Sequence, residues 1–321
     1  MKKILLYSSC LPLCFLQSDE QFLDISTLPW LTGPLIVQQG EVIPRGHFQI
    51  EGYLFVGIET GFYDEHWHSH STPNFYSLNP ELFVYVGLTE WMDIFFVPQV
   101  FYNITQGESS IHFGDLPINL EFQFLSSDAY TWVPGVKFSL GEVFPTGKYQ
   151  HLNPKKKGTD ISGAGSFITV ADLVFYKVFH IKNLHYLSTT LDFEYAVPAP
   201  VHVKGLNAYG GGRETKGTVY PGNSFSAIFS FEYTFNEHWV FALDNIYTHT
   251  NKDRFSGKRG ADLSGNPAKV GDPSSEQISF APAIEYNFSE HLGIIAGTWF
   301  SAFGRNSNVF RNAVVNIVYN Y

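Results

Sequence analysis

The sequence predicts an all-β protein: a transmembrane antiparallel up-and-down β-barrel of about twelve strands, with about ten to fourteen spanned by a slip of one hairpin either way. Three observations carry this. Extended segments alternate strictly between an aromatic and a polar face, the connections alternate short and long, and aromatics abound without any long apolar run. The alternation is clearest in Ser224–Thr248. Phe225, Ala227, Phe229, Phe231, Tyr233 and Phe235 share one face, Ser224, Ser226, Ser230, Glu232 and Thr234 the other, and only Ile228 is out of class. Period 2 over a dozen positions means a strand with one greasy and one wet side. A polar knot, Asn236-Glu237-His238, then leads into a second strand at Trp239, and the unit recurs around Glu285–His291. A soluble β-sandwich also uses alternating hairpins, but its core has no need of so many aromatic faces.

Composition agrees. Charged residues are 16% and aromatics 17%, with 30 Phe and 18 Tyr, while mean hydropathy is −0.06. Beyond the N-terminus no apolar run approaches the ~20 residues of a spanning helix. A barrel strand shows lipid only every second residue, so richness in aromatics without a long run is its signature. The net charge of −10 excludes a nucleic-acid partner, which calls for a basic face.

In chain order, Lys2 and Lys3 precede the mostly apolar Ile4–Leu16, and residues 1–18 read as a signal peptide. Cys10 and Cys14 both lie in it, so the mature chain carries no thiol, and Leu13 stands where a lipoprotein acceptor at Cys14 needs a small residue. Residues 19–46, dense in Pro and Gly, form a periplasmic lead-in or a small plug; the barrel is 47–321. Its strands fall near 47–59, 78–88, 92–103, 116–125, 132–143, 166–178, 184–197, 223–235, 239–250, 276–288, 292–303 and 309–321. Short turns lie at 89–91, 126–131, 179–183, 236–238 and 289–291, and long polar loops at 60–77, 104–115, 144–165, 198–222 and 251–275, with a brief last one at 304–308. Short periplasmic turns and long outer loops are the barrel pattern, and place the protein in a bacterial outer membrane among lipid and lipopolysaccharide. The last strand puts Val315, Ile317, Tyr319 and Tyr321 in one phase. That row looks like the C-terminal aromatic signal read by the barrel-assembly machinery, and the strand must pair near His47 to close the sheet.

Phe113-Gly114-Asp115-Leu116, Phe144-Pro145-Thr146-Gly147-Lys148, Val203–Gly211 and Tyr220-Pro221-Gly222-Asn223 resemble outer-membrane channels associated with the meta-cleavage pathway of phenol degradation. The likeness runs over most of 47–321 in loop and turn signatures, and His112 stands where that family usually has glycine. The resemblance implies a barrel that passes small, apolar or aromatic solutes.

If the apolar face meets lipid, the lumen receives Glu51, Glu121, Asp192, Glu194, Glu232, Asp244 and Glu285, with Lys137 the chief cation. Two readings follow: a cation-preferring pore, or carboxylates used as hydrogen-bonded struts or plug contacts. His66, His68 and His70, beside Asp64 and Glu65, are candidates for a transition metal, though no second cluster completes a site. Lys155-Lys156-Lys157 either touches phosphates of surface lipopolysaccharide or is merely solvated. Gly210-Gly211-Gly212 lacks the Gly-Lys-Ser/Thr of a phosphate loop. For an enzyme, Asp64/His66 and His249/Asp253 are the acid–histidine pairs to inspect. The expectation is a channel for passive permeation of small solutes, without catalysis, cofactor or bound metal. The alternative is a surface adhesin or structural barrel acting through its outer loops.

Overall fold

The computed structural model describes residues 31–127, 131–262 and 264–321; the expected signal segment and residues 19–30 lie outside them. The strands in order are β1 (Phe48–Tyr63), β2 (Ser69–Thr89), β3 (Met92–Phe96), β4 (Val100–Thr105), β5 (Glu108–Phe113), β6 (Leu116–Leu125), β7 (Gly135–Phe144), β8 (Ile168–Lys182) and β9 (His185–Pro198). They continue as β10 (Val201–Lys204), β11 (Lys216–Tyr220), β12 (Ser224–Thr234), β13 (Trp239–Thr250), β14 (Arg254–Lys258), β15 (Ser275–Asn287), β16 (Leu292–Arg305) and β17 (Asn308–Asn320).

Twelve of them close a ring in the order β1-β17-β16-β15-β13-β12-β9-β8-β7-β6-β3-β2, and β2 pairs back onto β1. Every ladder in it is antiparallel. The seam is held at its base by Phe48 N to Tyr321 O (3.0 Å) and Tyr321 N to Phe48 O (2.9 Å). His47 Nδ1 adds a third bond, to Tyr321 O, at 3.0 Å. A closed ring leaves no strand edge to face hydrocarbon, where an unpaired N–H or C=O costs several kcal/mol.

The two faces of each strand separate as the period-2 pattern requires. On β12, Ser226, Ser230, Glu232 and Thr234 are buried inside, while Phe229, in the opposite phase, lies exposed on the outer surface. Leu54, Leu82, Leu140, Ile284 and Ile317 are likewise exposed on the outside of their strands. The apolar rows therefore cover one closed wall and are not sandwiched between two sheets. Exposed Trp91, Phe235, Trp239, Phe288, Tyr319 and Tyr321 gather at the short-turn end, as an interfacial aromatic girdle does.

The structure departs from expectation above the apolar band. The strand expected over 92–103 is two pieces: Val97-Pro98-Gln99 interrupts it, and Pro98 has no N–H for a ladder. β2 pairs with β3 along its lower part and with β4 higher up. The expected loop 104–115 contains the β4–β5 hairpin, turned at Gln106 (φ 47°) and Gly107 (φ 82°), the left-handed pair that matches strand twist. The first outer loop shrinks to 64–68 because β1 and β2 run on past the expected ends. The two longest loops hold β10, β11 and β14, a separate three-stranded sheet over Val201, Val203, Val219 and Val270.

Candidate functional site

The barrel interior is crossed by residues 31–46. The stretch enters at the short-turn end, where Thr32 N donates to Glu285 Oε1 and Thr32 Oγ1 to Asn287 Oδ1 (2.7 Å), both on β15. It rises until Ile36 N donates to Asp244 Oδ2 on β13 (2.8 Å) and Gln38 Nε2 reaches Asp172 Oδ2 on β8 (3.3 Å). It descends again through Val42 N to Gln123 Oε1 on β6 (3.0 Å) and Ile43 N to Asp93 Oδ2 on β3 (2.6 Å). β15 and β6 lie six places apart in the ring of twelve, so the arch spans a diameter.

The arch is irregular because Pro34, Gly40 and Pro44 interrupt any ladder. Its amides must therefore find acceptors on the wall, and four of them take side-chain carbonyl or carboxylate oxygens. One side chain anchors it: Leu35 is 0% exposed, packed against Ala242, Ala281, Ala283, Ile295 and Val314. These small residues make the hollow that Leu35 fills. On the other limb Gly40 lies on the ring of Tyr176, so close that an added Cβ would stand 2.1 Å from Tyr176 Cγ.

All eight residues expected to line the lumen are on inward positions. Most are already engaged. Glu51 accepts from Gln49 Nε2 (2.5 Å), Gln39 Nε2 (3.2 Å) and Asn316 Nδ2 (3.0 Å). Glu285 takes Thr32 and Asn287, and Asp244 takes Ile36. Lys137 and Glu121 form a fully buried ion pair at 2.6 Å. Asp192, Glu194 and Glu232 stand on the β9–β12 wall, Glu194 in register with Asp172. Sequence reasoning missed Asp93 and Asp172; Gln123 falls in the polar phase of Glu121 on β6, but its bond to the arch was not foreseen. Asp93 shares its phase with Phe95 and Val97, which also point inward, and 166–178 is apolar in both phases, so neither strand advertised its wet side.

Inward aromatics were missed as well. Tyr53 and Phe55 stack (5.6 Å between centroids), Phe55 meets Trp299 edge-on (6.5 Å), and Trp299 meets Phe310 (4.9 Å). Tyr53 and Phe55 share the phase of Glu51 on β1, where a wet lumen alone would favour polar residues. Trp299 Nε1 is satisfied by Ser279 Oγ at 3.0 Å. This column borders two cavities. One of about 820 Å³ lies above, among Phe75, Phe101, Tyr209, Phe310, Glu59 and Asp253. One of about 260 Å³ lies below, between the arch and Glu51, Tyr53, Phe83 and Tyr85. Trp299 lines both, and Gly158, Ile161 and Ala208 line the upper one together with a cavity of about 910 Å³ among the outer loops.

The loop histidines are arranged around one carboxylate. Asp64 accepts from His70 Nε2 (2.8 Å) and from the amides of His66 (2.8 Å) and His68 (2.9 Å). The His70 bond first, then the His68 amide, holds the Asp64 carboxyl well below its ordinary range. Among the described residues no group of three His, Cys, Asp or Glu is placed to hold a metal. The second acid–histidine pair does not form: His249 faces Glu276 (3.6 Å), and Asp253 accepts from Gly222 N (2.9 Å). Lys156 reaches back to Ser109 O (2.9 Å) and Lys157 to Gln106 O (3.1 Å), so part of the lysine run ties its loop to the β4–β5 hairpin.

A closed antiparallel ring of twelve strands, apolar outside and charged or aromatic inside, with an aromatic girdle, is a transmembrane β-barrel of the bacterial outer-membrane type. The chain is similar in fold to an outer membrane channel from Pseudomonas putida F1, with a TM-score of 0.69 and 14% identity over 89% of this chain and 100% of that one. Looser likenesses, which carry no argument, are the beta domain of the Bordetella autotransporter BrkA (TM-score 0.45, 8% identity, 85% and 98% covered) and a mutant of the TodX monoaromatic hydrocarbon channel (0.40, 13%, 87% and 91%). No family model and no curated protein matches the sequence.

Proposed function

We propose that this barrel is a channel for passive passage of small solutes, obstructed in the described conformation by the arch of residues 31–46. The observation that carries the reading is the series of neighbouring cavities from the outer loops down to the arch, with Trp299 lining both the vestibule and the pocket below it. A conduit needs such a succession of spaces along its bore, whereas an adhesin or structural barrel acting through its loops does not. Of the two lumen readings, the hydrogen bonds favour struts: Glu51, Asp244 and Glu285 hold the arch, and Glu121 is neutralised by Lys137. The aromatic column supports apolar or aromatic solutes over hydrated cations, because its rings offer dispersion contact and no ion coordination. Export by residues 1–18 and assembly through the outward row Val315, Ile317, Tyr319 and Tyr321 belong to the same reading.

Planar-bilayer conductance tests it. The full-length barrel should show small or infrequent steps, and a variant lacking residues 31–43 larger, steadier ones. Both silent, though folded by heat-modifiable gel mobility, would shift weight to the loop-acting alternative. A reversal potential set by cations in a salt gradient would restore the cation-preferring reading.

A further inference from the structure

The three-stranded sheet of β10, β11 and β14 follows β9, leads into β12 and follows β13, three neighbouring wall strands on the long-loop side. Its valine face, Val201, Val203 and Val219, is buried among the loops. Its other face is exposed and carries a line of charge. Lys204 pairs in register with Lys216, and Lys216 with Lys258, so three lysines stand side by side across three strands. Nearer the membrane on the same face, Arg254 lies over the ring of Tyr220 at 5.9 Å.

Like charges directly opposite each other on a sheet destabilise it, and only one of these lysines is neutralised: Lys258 pairs with Glu214. Among the described residues, Lys204 and Lys216 have no acidic partner within ion-pair distance. The valine face would be equally buried with neutral residues on the outer one, so packing gives no reason for the line. Its position does. Outward-facing Tyr195, Tyr220 and Tyr247 are exposed where these wall strands approach the sheet, in the manner of an interfacial girdle. Lys216 lies four residues beyond Tyr220 on the same outward face, so the line of lysines stands up to about 13 Å above that tyrosine on the headgroup side, turned away from the barrel axis.

We propose that Lys204, Lys216 and Lys258, with Arg254, form a docking surface for the phosphates of phosphorylated lipid headgroups in the leaflet around the long-loop end. Lys155-Lys156-Lys157, the basic run evident in the sequence, is partly committed to loop carbonyls, whereas in this line only Lys258 has a partner, Glu214. Two phosphates on one lipid would separate the lysine charges and remove their mutual repulsion.

The test uses full-length protein in neutral detergent, titrated with bisphosphorylated lipid A and read by native mass spectrometry. Each lysine near an anionic surface contributes about fivefold, so Lys204→Gln/Lys216→Gln/Lys258→Gln should weaken binding roughly hundredfold. Lys204→Arg/Lys216→Arg/Lys258→Arg should keep it. Dephosphorylated lipid A should not bind, and millimolar inorganic phosphate should not displace the lipid. If the triple glutamine variant fails the heat-modifiability check for folding, Lys216→Gln alone should still cost about fivefold. Unchanged binding by a folded glutamine variant, equal binding of the dephosphorylated lipid, or displacement by free phosphate would each overturn the proposal.

Discussion

Leu35→Ala is the sharpest perturbation of the arch. Leu35 is fully buried, and its neighbours Ala242, Ala281 and Ala283 are too small to close over a missing isobutyl group. The hollow would persist, and the cost is that of a buried leucine with a residual cavity, about 2–5 kcal/mol. The loss falls on the seated arch alone, because the ring ladders do not include residue 35. It therefore shifts the ratio of seated to released arch by about 30-fold to several thousand-fold. Single-channel recording reads this as more frequent and longer openings of unchanged full amplitude. Urea unfolding of the barrel in vesicles should stay within about 1 kcal/mol of the unmodified protein, since the cavity term applies to the arch and not to the wall. Openings indistinguishable from the unmodified protein, in a variant of unchanged fold, would refute the claim that Leu35 holds the obstruction in place.

Other outcomes follow from the same contacts. Gly40→Val should also release the arch, since its Cβ meets the Tyr176 ring, and Tyr176→Ala should restore closure; conductance of the double variant checks this. Lys137→Met leaves the buried Glu121 carboxylate alone and should cost about 3–5 kcal/mol in vesicle unfolding, most of it recovered in Glu121→Gln/Lys137→Met. Phe229→Arg places a cation near mid-membrane on the lipid face and should cost about 2–4 kcal/mol by the same assay, whereas Ala at that position costs less. The folded Asp64 carboxyl titrates below its ordinary 3.8, chiefly through His70. Its ordering of the loop is thus fully present above that pH and lost as pH falls through the depressed value. The protection factor at the His66 and His68 amides, taken against the intrinsic exchange rate at each pH, should be flat from neutral pH down to that range and fall below it; Asp64→Ala should remove the protection at every pH.

The wall was legible because lipid and lumen impose opposite demands on consecutive residues. Wherever both held, as in β12, β13, β15 and β17, the expected strand lies within two residues of the observed one. Legibility failed where one demand lapsed. Above the membrane nothing selects outward apolar residues, so β10, β11 and β14 passed for loop, although Val201/Val203 and Lys216/Thr218/Tyr220 do alternate. Pro98 in the middle of an apolar run was an available warning of the break between β3 and β4. The lumen was half readable: its acidic positions follow from phase, but their partners do not. That Asp93, Asp244 and Glu285 receive amides of Ile43, Ile36 and Thr32 depends on a chain segment whose path across the bore has no periodicity to betray it.

The turn between the arch and β1, closed by His47 N to Pro44 O at 3.1 Å, has Gly46 at φ 85° with open space around it. It works as a leash. An arch that lets go swings about this point and stays tethered to the wall, so its return is a first-order event at an effective concentration in the millimolar range. Resealing would then run at the same speed in a crowded membrane and in a single isolated molecule. A detached peptide of the same sequence, added at micromolar levels, would compete poorly with the copy each barrel carries.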